Sequence, residues 1–229
     1  MRNYLDKQLD TLHEKLNHMG DLCIEAITQS INVFIHDDVT LLDKVLEVDH
    51  EIDLLERDIE GLCMKLILHQ QPVASDLRKI SSALKMISDM ERIGDQASNI
   101  AEIAQYIVGV QNETEDKLNE MAIAAQKMVY DSVHSYVNSD LRLAKSVMEY
   151  DDVVDDWFAT IKREIMDAIS KGNIETDGEY YIDLLMIAKY LERIGDHATN
   201  VAEWVEYSIT GIHLKDGKVL DIETPKTII

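Results

Sequence analysis

Carboxylate residues recur four positions apart at four matched places in this 229-residue sequence. In an α-helix, side chains four positions apart lie one above the other on the same face. Like charges at this spacing repel each other by a few tenths of a kcal/mol, and a bound cation would offset that repulsion. The pairs are Asp49 with Asp53, Glu91 with Asp95, Asp151 with Asp155, and Glu192 with Asp196. Their chemistry predicts sites for metal ions that accept oxygen ligands.

The four acidic pairs belong to an internal repeat. The segment DMERIGDQASNIAE, residues 89–102, recurs as YLERIGDHATNVAE, residues 190–203, with nine of fourteen positions identical. Upstream, LEVDHEID, which ends at Asp53, corresponds to MEYDDVVD, which ends at Asp155. Nearly one residue in five is acidic, so chance alone would give about eight such pairs. Pairs that repeat in matched positions, however, indicate a duplicated unit with a shared property.

The elements that position these side chains are predicted to be long helices. Apolar residues recur three and four positions apart, and only two prolines, Pro72 and Pro225, interrupt the chain. Ser75 or Asp76 can serve as the N-cap of the helix that follows Pro72. The predicted helices span 3–35, 39–69, 74–109, 114–138, 140–170 and 178–209.

The repeat and the helix order predict an all-α fold of two tandem antiparallel three-helix bundles. A helix of about 33 residues is about 50 Å long, so we expect an elongated molecule. The first bundle is assigned to residues 1–110, the second to 111–211, and a tail to 212–229. The tail loses the helical period, and we expect at most a short hairpin there.

The carboxylates are expected to border a groove between helices. The stripe that includes Leu77 and Leu84 leads directly into Glu91 and Asp95, whereas solvated charges normally lie opposite the apolar stripe. Gly94 occurs inside this motif, as Gly195 does in the second repeat. A glycine within a helix costs about 1 kcal/mol relative to alanine, which indicates close approach of a helix or a bound group, or plain packing.

Composition and charge indicate which partners and which cellular location to expect. The formal net charge of -22 repels nucleic acid and anionic lipid headgroups, so neither nucleic-acid binding nor membrane insertion is expected. The longest segment without charged residues, 26–36, is far shorter than the roughly 20 residues that span a bilayer. Charges in the first ten residues do not resemble a signal peptide, and two cysteines, Cys23 and Cys63, suit a reducing interior. A cytoplasmic location is predicted.

An enzymatic or storage function is the alternative. The sequence has no glycine-rich phosphate loop, no G-x-S-x-G segment and no H-E-x-x-H segment. Di-iron helical proteins use two Glu-x-x-His motifs. This chain has one, Glu47 to His50, whose counterpart is Glu149 to Asp152. A metal-dependent helical-bundle enzyme or a metal-storage protein therefore stays open beside a non-enzymatic function.

The two copies ERIGDQASNIAE and ERIGDHATNVAE, with the Asp-x-x-x-Asp pairs upstream, closely resemble the PhoU family of phosphate-signalling regulators. The resemblance covers about residues 1–211. It implies two PhoU-type three-helix bundles and acidic motifs that hold metal clusters at the surface, with iron or zinc as the ions. The oxygen ligands by themselves suit magnesium, manganese, calcium or iron. The residues that match these motifs are Asp49, Asp53, Glu91, Asp95, Asp151, Asp155, Glu192 and Asp196, with Asn99 and Asn200 as additional oxygen donors.

The resemblance also implies a function and partners. Proteins of this family act as adaptors and negative regulators of the phosphate-starvation (Pho) response, and they are not enzymes. The implied partners are the ATPase of a phosphate ABC transporter and a phosphate-sensing histidine kinase. A homodimer is the expected oligomer.

Overall fold

A computed structural model describes residues 2–36, 38–107, 113–171, 178–212, 214–215 and 218–219. The described chain is built from six long helices, as the apolar spacing predicts. They are α1 (Arg2–Ile35), α2 (Leu41–Gln70), α3 (Ala74–Ala104), α4 (Glu113–Val137), α5 (Leu141–Ser170) and α6 (Gly178–Thr210). We call α1–α3 the first unit and α4–α6 the second unit. Two-residue strands, β1 (Leu214–Lys215) and β2 (Lys218–Val219), pair antiparallel in the tail.

Local chemistry sets the helix ends. α2 stops before Pro72, where Gln71 adopts a left-handed conformation with φ 45°. Asp140 caps α5 by accepting hydrogen bonds from the backbone N–H groups of Arg142 and Leu143, both at 3.0 Å. The prediction that Ser75 or Asp76 caps α3 is wrong, because both residues lie inside the helix and Val73 precedes it without a side-chain cap.

The third helix also ends earlier than predicted. The backbone N–H groups of Tyr106 and Ile107 bond to carbonyl oxygens three residues back, at Ile103 and Ala104, which is the tighter pattern common at helix ends. The helix therefore ends at Ala104 and does not reach residue 109. The predicted limit between the two bundles, at residues 110 and 111, lies outside the described residues, as does the tail after residue 219.

The three helices of each unit pack against one another, which confirms the tandem three-helix bundles. The units also meet directly, since α3 packs on α6 and α1 packs on α4. Side chains from both units form one continuous hydrophobic core, in which Leu16, Ile93 and Leu191 are fully buried. Burying a side chain of this size stabilises the folded state by about 1.5–3 kcal/mol. Apolar side chains buried between the units therefore stabilise the fold, as those inside each unit do. None of the described helices contains an apolar stretch of the length and low charge that spanning a bilayer requires.

Candidate metal-binding grooves

The first groove lies between α2 and α3 and contains Asp49, Asp53, Glu91 and Asp95. Desolvation raises the pKa of Glu91, and the charges of Asp95, Glu56 and Asp53 raise it further. The pKa of Asp95 is also raised, first by desolvation and then by Asp53 across the groove. Each carboxylate is therefore within electrostatic range of carboxylates on the facing helix. The sequence-predicted pairs of the first unit face one another as expected.

Asp49 lies deepest in the first groove. Burial raises its pKa, the Ser98 hydroxyl offsets part of that rise, and the charge of Asp95 adds to it. Asp49 Oδ1 and Ser98 Oγ are both buried, and the two groups approach each other without a hydrogen bond of normal geometry. A Cβ atom at Gly94 would lie 2.7 Å from Asp49 Oδ1 and 3.0 Å from Ile52 Cδ1. The glycine therefore allows α2 to approach, which places the buried oxygen against the motif.

The second groove lies between α5 and α6 and contains Asp151, Asp155, Glu192 and Asp196. Burial raises the pKa of Asp151 to about 6, and the charges of Asp155 and Asp196 contribute to the increase. The Thr199 hydroxyl offsets part of it, as Ser98 does in the first groove. The pKa values of Asp155 and Asp196 are raised as well, mainly by desolvation and then by Glu192. The repeat thus places the same acidic arrangement in both units.

Gly195 has the same position in the second repeat as Gly94 has in the first, but the neighbouring helix lies slightly farther from it. A Cβ atom there would lie 3.3 Å from Val154 Cγ1 and 3.4 Å from Asp151 Oδ1. These separations are close to ordinary contact, whereas Gly94 has no room for a methyl group beside Asp49. Close approach of the neighbouring helix thus accounts for the glycine of each motif.

The two grooves differ in one charge that sequence reasoning missed. Lys189 forms an ion pair with Glu192, and its Nζ lies 5.5 Å from the centre of the Phe158 ring. Its counterpart in the first unit is Ser88, whose hydroxyl donates a 3.3 Å hydrogen bond to Glu56. The repeat alignment shows both substitutions but not that Lys189 reaches the acidic motif. The second groove is therefore partly neutralised by its own lysine.

Asn99 and Asn200, whose side-chain oxygens are predicted metal ligands, lie beside the grooves. The amide nitrogen of each already donates a hydrogen bond. Asn99 Nδ2 donates to the backbone oxygen of Asp95 at 2.7 Å. Asn200 Nδ2 donates to Asp89 Oδ1 at 3.1 Å, across the contact between α6 and α3. The two amides thus have different environments despite their matched positions. Their coordinating role stays a prediction.

Asp89 belongs to a buried polar cluster that sequence analysis did not find. His197 Nδ1 donates to Asp89 Oδ1 at 2.9 Å, and Asn200 binds the same oxygen. Asp89 and His197 are 8% and 9% exposed. At the matched positions the repeat has Tyr190 for Asp89 and Gln96 for His197, so the cluster has no duplicate. It joins the first unit to the second.

The residues fit a hard cation by donor chemistry. All eight acidic side chains offer carboxylate oxygens, and Asp49 Oδ1 is a buried oxygen with no hydrogen-bond partner. Within the described part of the chain, however, no three His, Cys, Asp or Glu side chains stand close enough together to hold one ion. The carboxylates share a groove in each unit but would have to rotate toward one another to coordinate a metal.

The Glu-x-x-His motif that kept the enzyme alternative open does not point into a bundle. Glu47 and His50 are both exposed residues of α2. Di-iron proteins of the helical-bundle type project such motifs into the bundle interior. The geometry therefore gives no support to a di-iron centre at this position.

Two repeated three-helix units, each with an acidic groove between its second and third helices, define a class of duplicated helical-bundle proteins with paired acidic sites. The family model described as PhoU domain matches this chain twice, at residues 16–104 and 118–205. The chain belongs to the PhoU family.

Curated relatives match most of the chain. The chain is 34% identical over 215 residues to "Phosphate-specific transport system accessory protein PhoU homolog 1" of Thermotoga maritima. The aligned region covers 93% of this chain and 92% of that protein. A PhoU homolog of Aquifex aeolicus is 40% identical over 166 residues, covering 71% and 74%. The crystal structure of PhoU from Pseudomonas aeruginosa superposes with a TM-score of 0.82 at 32% identity, covering 90% of this chain and 99% of that one.

Proposed function

We propose that this protein is an accessory and regulatory component of a phosphate-specific transport system and that it works in the cytoplasm. The observation that supports this most directly is the similarity over nearly the whole chain to proteins named as accessory proteins of that system. The similarity includes both units, so it covers a complete duplicated architecture.

The finer proposal is a non-enzymatic adaptor that represses the phosphate-starvation response. It would couple the ATPase of a phosphate ABC transporter to a phosphate-sensing histidine kinase. Asp95 and Asp196 are exposed in the two grooves, so both are accessible to a partner protein or an ion. A homodimer remains the expected oligomer.

Deleting the gene should leave phosphate-starvation genes expressed constitutively, because the adaptor would no longer repress the kinase when phosphate is abundant. The measurement is a reporter fused to a phosphate-starvation promoter, followed in high and low phosphate. Complementation with the wild-type gene should restore repression. A deletion strain that keeps its normal response to phosphate would exclude the regulatory proposal.

We also propose that each groove binds metal ions. The ligands would be Asp49, Asp53, Glu91 and Asp95 in the first groove and Asp151, Asp155, Glu192 and Asp196 in the second, assisted by Asn99 and Asn200. Iron, zinc, magnesium and manganese are the candidate ions, and a bound ion would supply positive charge that cancels the repulsion among the carboxylates. Asp49 and Asp151, which lie deepest, would contribute inner ligands from the α2 and α5 sides.

Replacing Asp95 and Asp196 by Asn should reduce metal affinity on the order of tenfold or more, since each substitution removes a charged oxygen donor while keeping the side-chain size. Elemental analysis of protein purified without chelator, followed by metal titration, measures the change. Asp167→Asn is the matched control, because Asp167 is an exposed residue of α5 outside the grooves. Normal metal content in the Asp95→Asn, Asp196→Asn protein would exclude these ligands.

A further inference from the structure

Each unit exposes a methionine on the helix face that continues from its acidic groove. On α2, Met64 follows Asp53 by eleven residues, and this spacing returns an α-helix to within about 20° of the same direction. Met166 follows Asp155 on α5 by the same eleven residues. Met64 is 56% exposed and Met166 is 60% exposed. The duplicated methionine therefore lies on the surface in both units, near the C-terminal end of α2 or α5.

In the first unit, Met64 is part of a larger apolar surface. The hydrogen bond between Glu56 and Ser88 fixes the antiparallel register of α2 and α3. In that register, Leu77 at the start of α3 lies opposite the last two turns of α2. We call the exposed residues Met64, Leu68 and Leu77, with the half-buried Ile67 and Leu84, the turn patch. Leu68 is 73% exposed, so the surface is open to a partner.

The charges beside the apolar surface differ between the units. Glu56 and Glu60 lie between the first groove and the turn patch, whereas Arg57, seven residues before Met64, points within about 20° of the Met64 direction. At the matched positions the second unit has Phe158 for Glu56 and Lys162 for Glu60. Lys189 adds a further positive charge there, above the Phe158 ring. Only the exposed methionine is shared, since Ser170 and Gly178 stand at the positions matched to Leu68 and Leu77. The surface of the first unit is therefore more apolar and has an acidic border, whereas the second unit has a basic border.

We propose that the turn patch of the first unit docks an amphipathic helix of a partner protein, with apolar residues facing Met64, Leu68 and Leu77 and basic residues facing Glu56 and Glu60. The proposal rests on the proposed adaptor function and specifies the chemistry of one partner. Glu56 and Glu60 repel a negatively charged surface, so the same face of a second copy and an anionic membrane fit this patch less well than a basic helix does. Methionine adapts its shape to apolar partner surfaces, and an amphipathic helix in a groove is a common mode of recognition.

The test uses the full-length protein and a fluorescent 18-residue peptide with leucines on one helical face and lysines on the other. Binding is measured by fluorescence anisotropy at physiological salt. The double variant Met64→Ser, Leu68→Ser should bind about tenfold more weakly or worse, as is usual when central apolar contacts are removed. The control variant Met166→Ser, Ile169→Ser removes two exposed apolar side chains near the end of α5 and should change affinity less than about twofold.

Glu60→Lys provides a second variant that leaves the apolar surface intact. It installs the residue type of the second unit, and we expect a loss of about tenfold that shrinks as salt is added. Hydrogen exchange on the wild-type complex should show protection within residues 60–84. Circular dichroism checks that each variant keeps its helices, and because the substituted residues are exposed we expect no change.

Several outcomes would overturn the proposal. These are equal losses in the two serine variants, protection confined to the second unit, or equally tight binding of a peptide with glutamates in place of lysines. Dimers or binding to anionic vesicles that disappear in Met64→Ser, Leu68→Ser would identify a second copy or a membrane as the occupant instead. The gene deletion tests the adaptor function without this peptide, so failure of one proposal is distinguishable from failure of the other.

Discussion

Replacing Asp89 by Ala is expected to lower the free energy of unfolding by about 3 kcal/mol. The carboxylate accepts hydrogen bonds from His197 and Asn200 at a site that is almost fully buried. Removing it leaves a buried imidazole and a half-buried amide without their partner, and an unsatisfied buried group costs about 1–3 kcal/mol. Urea denaturation followed by circular dichroism measures the effect. The position matters because the lost bonds join α3 of the first unit to α6 of the second.

Controls separate this polar cluster from a general effect of removing an acid. Asp167→Ala removes an exposed carboxylate near the end of α5 and should change stability by less than about 0.5 kcal/mol. His197→Gln installs the residue of the first repeat, which can still donate to Asp89, so we expect a smaller loss of about 1 kcal/mol. In a double-mutant cycle, the effects of Asp89→Ala and His197→Gln should be strongly non-additive. Equal stability of Asp89→Ala and Asp167→Ala would show that the cluster does not stabilise the fold.

The second large effect concerns pH. Metal-free protein with Asp151→Asn should be more stable than wild type at pH 8 by about 1–2 kcal/mol. Burial raises the pKa of Asp151 from its ordinary value near 4 to about 6, so its ionised form destabilises the folded state. A rise of this size corresponds to about 3 kcal/mol for a fully shielded group, and solvent screening at this partly exposed position reduces it.

The pH dependence has a definite direction. A carboxyl group with a raised pKa in the folded state costs stability above that pKa, and the cost disappears as the pH falls toward the unfolded value. The advantage of Asp151→Asn at pH 8 should therefore fall to well under half at pH 4.5. Urea denaturation in the presence of a chelator, at both pH values, measures this difference.

Comparing two variants at the same pH isolates Asp151 from other titrating groups. His13 acts in the opposite direction, because burial lowers its pKa and the folded state then loses stability below about pH 6.5. Asp152→Asn is the control, since Asp152 is the next residue and is exposed. Its stability should stay within about 0.5 kcal/mol of wild type at both pH values. A gain from Asp151→Asn that is the same at pH 8 and pH 4.5 would contradict the proposed cost of burying this charge.

The turn patch and the Asp89 cluster both show that duplication has not produced equivalent halves. Most of the ERIGD motif is identical in the two repeats, so each unit has a glycine-containing helix and an acidic groove. The substitutions that separate the units lie next to this shared part, as with Lys189 for Ser88 and His197 for Gln96. This arrangement suits the proposed adaptor function, because two acidic grooves with different neighbouring charges can select different partners.

The helices, the repeat and the pairing of carboxylates along each helix could all be predicted from the amino-acid sequence. These features depend on local geometry, because the period of 3.6 residues fixes which side chains share a face whatever packs against them. Five of the six predicted helices therefore agree with the structure within about two residues at each end, the usual ambiguity of helix limits. Only the C-terminal end of α3 and its predicted cap were wrong, since both depend on a few competing hydrogen bonds.

Which charged groups come into contact depends on how the helices pack, and the sequence did not predict it. Asp89 and His197 are 108 residues apart in sequence, and nothing in either helix alone indicates that they form a hydrogen bond. Likewise, the sequence shows Lys189 but not its ion pair with Glu192, and it shows Asp49 but not the buried oxygen beside Gly94. The physical reason is that burial and partner distances arise when helices from distant parts of the chain pack together, and these two quantities set the electrostatics of both grooves.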